Sequence, residues 1–99
     1  MIAALGLALA LTAADRGAAL AARDCAACHA VGTTGSSQNG DAPPFRALRM
    51  KVNPISLERR LEKLPQSGHP AMPPRPLSHD DAADLVAYIQ TLGPRERQP

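Results

Sequence analysis

Cys25-Ala26-Ala27-Cys28-His29 constrains this chain more than any other stretch. Two cysteines three apart, with a histidine directly after them, form C-x-x-C-H, the spacing that attaches c-type haem. The chemistry accounts for the spacing. On a helical turn, residues three and four apart share a face, so Cys25 and Cys28 reach the two haem vinyl groups as thioethers while His29 turns its imidazole to the iron. Two rival chemistries also use paired cysteines. A thioredoxin-type redox pair sits beside a βαβ pattern, and no alternating β-rich runs flank this one. A zinc site needs four ligands in paired clusters, and the other two histidines, His69 and His79, form no second pair.

The rest of the chain is short of what a core requires. Its 99 residues amount to one domain at most, with one Phe, one Tyr and no Trp to fill an interior. A covalently held porphyrin supplies that missing bulk, so composition and motif agree. Eleven Lys plus Arg against nine Asp plus Glu leave a formal charge of +2, which two haem propionates bring close to neutral. No basic stripe with interleaved aromatics and no run of like charges suggests nucleic acid. The motif uses both cysteines, so no disulfide framework reports on the redox compartment.

Met1 to Ala14 is nearly pure Ala and Leu, long enough for a secretory apolar region and too short for a membrane span. It reads as a signal peptide, with residues 15–94 as the exported domain and 95–99 as a polar tail. Thr12 and Ala14 suit a cut ahead of Asp15, and a cut one or two residues earlier suits equally. No Lys or Arg precedes the apolar run, which keeps a short uncleaved anchor open as the alternative. No cysteine lies near Ala14 to carry a lipid.

From Asp15 to about Cys28 the Ala-rich sequence suits a helix with an acidic first turn. Gly17 interrupts it, either as a tolerated glycine near a helix end or as the point of a close helix crossing. Residues 32–40 form a polar loop. Pro43 and Pro44 then stiffen the backbone beside Phe45, and a short helix follows at Arg46 to Met50. Either proline keeps a carbonyl that can accept the Nδ1 proton of His29 and hold Nε2 towards iron. Asn53 caps a further helix with Pro54 in its first turn, Ile55, Leu57, Leu61 and Leu64 as its apolar stripe, and Glu58, Arg59, Arg60, Glu62 and Lys63 facing water. The stretch 66–76 has four prolines in its last seven residues and cannot be regular helix or central strand. Met72 lies inside it, and a soft thioether presented by stiff backbone is what an iron ligand needs. His69 is the competing ligand three residues earlier. Ser78 and Asp81 form a capping box for the last helix, where Ala82, Leu85, Val86, Ile89 and Leu92 recur at helical spacing before Gly93-Pro94.

With Cys25-x-x-Cys28-His29 near the mature start, Pro43-Pro44-Phe45, His69-Pro-x-Met72-Pro and a closing helix through Asp84, Tyr88 and Leu92, the chain resembles the small bacterial class I c-type cytochromes. The likeness spans about Asp15 to Gly93. It implies an all-α fold in which the first and last helices cross, with one covalently bound haem c. It also implies Cys25 and Cys28 as thioether anchors, His29 and Met72 as the axial iron ligands, and a carbonyl of the Pro43-Pro44 pair, here taken as Pro44, as the partner of His29. Four-helix c-type cytochromes carry the motif near the C-terminus and do not fit this order.

The function expected on that basis is a periplasmic single-electron carrier between donor and acceptor redox proteins, with peripheral or no membrane contact and no catalysis of its own. Two alternatives stay open: a cytochrome subunit of a dehydrogenase complex, and a haem-based ligand-binding or sensor module in which Met72 does not hold iron. Arg46, Arg49 and Lys51 are candidates for partner docking or for pairing with the propionates.

Overall fold

The computed structural model describes residues 11–64 and 77–93, which form four helices and no strand among the described residues. These are α1 (Ala13–Asp24), α2 (Phe45–Lys51), α3 (Pro54–Glu62) and α4 (His79–Ile89). The expected all-α architecture is found. Met72, His69 and the prolines of 65–76 lie outside the described residues, as do residues 1–10 and 94–99.

Three of the four helices, α1, α3 and α4, start where a side chain satisfies the first orphan amides, while α2 starts at Pro44 without one. In α1, Thr12 Oγ1 accepts from the amide of Asp15 at 3.0 Å, and the Asp15 carboxylate accepts in return from the amide of Thr12 at 3.1 Å. Ser78 and Asp81 repeat the arrangement at α4, while the Asn53 side chain accepts from Ser56 at α3. The cap at Thr12 differs from the sequence expectation of a helix starting at Asp15. The expected processing boundary after Ala14 falls inside the first turn of α1.

The other end of α1 also departs from the expectation. The helix stops at Asp24 rather than near Cys28, and the haem motif continues as turns. The amides of Cys25 and Ala26 both bond the carbonyl of Ala21, and His29 bonds that of Cys25 at 2.9 Å. One further i,i+4 turn therefore keeps Cys25 and His29 on a common side.

The core is the crossing of α1 on α4. Leu20, Ala21 and Cys25 pack with Ala82, Leu85, Val86 and Ile89, and Phe45, Leu57, Leu61, Leu77 and Leu92 complete the cluster. The crossing is close because Gly17 has no side chain: a β-carbon there would stand 2.8 Å from Tyr88 Cβ and against the Asp84 carbonyl. Arg16 spans the same junction, its Nε and Nη2 bonding the two Asp84 carboxylate oxygens at 3.1 and 3.2 Å. Tyr88 reaches past the crossing and donates its hydroxyl to the carbonyl of Val31 at 2.6 Å, fastening the motif loop to α4. On α3 one expected core position fails. Ile55 is 69% exposed, whereas Leu57 and Leu61 are buried, because residues two apart on a helix point to opposite faces and the core takes the face of Leu57 and Leu61.

Candidate functional site

An apolar cleft of about 220 Å³ opens beside the motif, bordered by Cys25, His29, Phe45, Leu57, Leu61 and Leu85 among others. Its walls are almost wholly apolar, and apolar surface left open in this way suits an apolar guest. The sequence explains its position. The turn at 25–29 supplies Cys25 and His29, α2 supplies Phe45 and Leu48, and α3 and α4 supply the leucines of the far wall.

His29 is held in a defined orientation. Its Nδ1 lies 2.7 Å from the carbonyl oxygen of Pro43, and since a carbonyl only accepts, the proton sits on Nδ1 and the lone pair on Nε2. That is the tautomer a metal-binding imidazole requires. The accepting residue is Pro43 rather than the expected Pro44. The reason is the start of α2: Pro44 is its N-cap, and the Pro44 carbonyl already accepts from the amides of Ala47 at 2.9 Å and Leu48 at 3.4 Å. Loop 30–44 is folded to bring Pro43 there. Ser37 Oγ accepts from the amide of Ala30, Asn39 bonds back to Cys28, and the amide of Phe45 bonds the carbonyl of Ala30. The Phe45 ring packs on the imidazole, centroids 5.3 Å apart at 50°.

The cysteines differ in setting. Cys25 is buried at the cleft wall, and that burial, with the neighbouring Asp24 carboxylate second, pushes its thiol up to about 11. A redox-active C-x-x-C depends on a lowered thiol, so this environment speaks against a thioredoxin-like pair. Cys28 is half-buried, and both cysteines are free.

Two cationic nitrogens also fit a haem. Nη1 of Arg46 and Nε of Arg49 are buried without a hydrogen-bond partner among the described residues. Buried guanidinium nitrogens left in this state are costly, and carboxylates of an apolar guest, such as haem propionates, are the chemistry that relieves them. Arg46 is further pinned by Nη2 on the carbonyl of Gly35 at 2.7 Å. Both arginines are otherwise half-exposed, and Lys51 beside them is exposed. Cys25 and His29 border the cleft and Cys28 stands in the same turn, a donor set whose chemistry suits a covalently held haem, whereas Arg46 and Arg49 belong to α2 and are not among the residues lining the cleft. Met50 is 58% exposed on α2 and is not part of the cleft.

A second group of side chains escaped sequence reasoning. His79, the first residue of α4, places Nδ1 2.8 Å from Glu62 Oε2 and 3.5 Å from Glu58 Oε2. The hydrogen bond to Glu62, followed by the charges of Glu62 and Glu58, raises the histidine pKa above its ordinary value. Glu58 and Glu62 are visibly i,i+4 in the sequence, but their partner arrives from another helix seventeen residues beyond Glu62.

Comparison with known proteins agrees with the geometry. The family model described as cytochrome c matches residues 14–93. Cytochrome c-552 of Bradyrhizobium diazoefficiens is 37% identical over 81 residues, covering 82% of this chain and 76% of that protein. No solved structure matches.

Proposed function

We propose, since this chain belongs to the cytochrome c family and carries single electrons on covalently bound haem c, that His29 and Met72 hold the iron from its two sides in an exported carrier. The observation that carries the reading is His29 at the wall of an apolar cleft with Nδ1 fixed on the Pro43 carbonyl. Bound haem supplies a ferric/ferrous couple. The chain's residues set the terms on which that couple works. Cys25 and Cys28 tether, Pro43 orients His29 and keeps its Nε2 basic, and Phe45 with the leucines of α3 and α4 excludes water from the cleft. Met72 belongs to a proline-rich stretch of the sequence, and its neutral thioether on the iron would favour the ferrous state and raise the potential.

With His29 and Met72 both holding the iron, no coordination site would be left for a substrate, and the protein would pass electrons between redox proteins without catalysis of its own. Export is supported by the Ala/Leu run of residues 1–14. No helix among the described residues is long and apolar enough to cross a membrane. Carbon monoxide tests the ligand set. Protein matured in a host with haem-attachment machinery, reduced and exposed to the gas at neutral pH, is expected to keep its spectrum. Formation of a carbon monoxide adduct would take Met72 off the iron and recast the chain as a ligand-binding module.

A further inference from the structure

We propose that Glu58, Glu62 and His79 form a surface site for a divalent transition cation of the zinc class, separate from the haem cleft and bridging α3 to α4. The three side chains border a shallow cleft of about 230 Å³ together with Ile55 and Arg59, and none of them lines the haem cleft. One donor atom from each lies within 4.8 Å of the other two.

Geometry is the first argument. With metal–ligand bonds of about 2.1 Å, neighbouring donors of a tetrahedral zinc stand about 3.4 Å apart. The histidine nitrogen is 3.5 Å from Glu58 Oε2 and 2.8 Å from Glu62 Oε2, so one pair already has the required separation and the other must open by a fraction of an ångström. His79 is the first residue of α4 and its side chain is 73% exposed, which leaves the ring room for that adjustment.

Charge and donor type are the second. Glu58 and Glu62 stand one turn apart on α3, where like charges repel. A protonated His79 offsets one carboxylate, whereas a divalent cation bound to the neutral imidazole offsets both. Arg59 is exposed, and its long side chain can leave the cleft for solvent. An imidazole with two carboxylates selects zinc-like ions over calcium or magnesium, which favour all-oxygen shells. Three protein donors leave a fourth position to water. Because Glu62 belongs to α3 and His79 to α4, occupancy would cross-link the helices on either side of residues 65–76.

Zinc chloride titrated calorimetrically into oxidised, haem-loaded protein at mildly alkaline pH tests the site. Expected are saturable uptake of one zinc per chain and a melting temperature that rises with zinc. His79→Gln, at an exposed position on the first turn of α4, should weaken the affinity at least about a hundredfold, and Glu62→Gln should weaken it in the same direction. His69→Gln should leave it unchanged. Absence of saturable uptake overturns the proposal. So does uptake that survives His79→Gln or that vanishes with His69→Gln.

Discussion

Gly17 and Asp84 meet backbone to backbone where α1 crosses α4. A β-carbon at position 17 would press on the Asp84 carbonyl group, 2.7 Å from its carbon, and on Tyr88 Cβ at 2.8 Å. Gly17→Ala sets two effects against each other. Alanine gains about 1 kcal/mol of helix propensity, while overpacking a rigid contact costs about 1–3 kcal/mol. Here the obstacle is main chain that cannot rotate aside, which puts the cost at the upper end of that range and lets the clash win by up to about 2 kcal/mol. Thermal melts of the haem-loaded protein are expected to drop by about 10 °C for a domain of this size, and Gly17→Val should fall further. An alanine variant as stable as the parent would show that the helices do not cross this closely.

The first turn of α1 places a condition on the mature N-terminus. Thr12 caps the helix, and Leu11 offers its carbonyl to Arg16 Nη1 at 2.9 Å, so cutting ahead of Asp15 removes both. Ala8-Leu9-Ala10 presents small residues at the spacing a signal peptidase reads, and a cut after Ala10 keeps the cap whole. Intact-mass measurement of the exported protein should therefore find a chain starting at or before Leu11. Thr12→Ala should cost about 1 kcal/mol, read by denaturant unfolding. A mature chain beginning at Asp15 would refute the boundary.

Much of this arrangement was legible because local chemistry dictates it. The capping box at Ser78 and Asp81, Asn53 before Pro54, and the stripe from Ala82 to Leu92 each depend on residues within one or two turns, and all are found. Thr12 and Asp15 carry the same signal, which went unread because the apolar segment around Thr12 looked like leader rather than helix. The choice between Pro43 and Pro44 could not be made locally. Both carbonyls were candidates until the path of loop 30–44 placed one beside His29 and α2 consumed the other. His79 with Glu58 and Glu62 is longer-range still, since only the packing of α3 on α4 brings them together.

His79 makes stability depend on pH in a defined direction. Its folded pKa lies above the ordinary 6.5, chiefly through the hydrogen bond to Glu62, so the folded state holds the proton more tightly than the unfolded chain. The contribution is then fully present below pH 6.5 and is lost as pH rises through the higher folded value. With a chelator present to exclude metal, melting temperatures of the parent should decline across that window relative to His79→Gln. Because the side chain is largely exposed, salt should shrink the difference. Parallel pH profiles for parent and variant would mean that the pair with Glu62 is absent in solution.

The distal ligand gives the most discriminating test. If the Met72 sulfur holds iron, the oxidised protein shows the weak long-wavelength charge-transfer band of thioether-ligated ferric haem, and Met72→Ala abolishes it. The potential falls as well. Water, hydroxide or a nitrogen ligand entering the position stabilises ferric iron relative to a neutral sulfur, and a fall on the order of 100 mV in this one-electron couple is about 2 kcal/mol. His69→Ala is the control, since it should leave band and potential unchanged. Loss of the band in His69→Ala but not in Met72→Ala would reverse the assignment. A band that survived both would point to Met50, which would then have to leave its exposed place on α2 to reach the cleft. That rearrangement would itself be visible, because α2 also carries the Phe45 ring packed against His29.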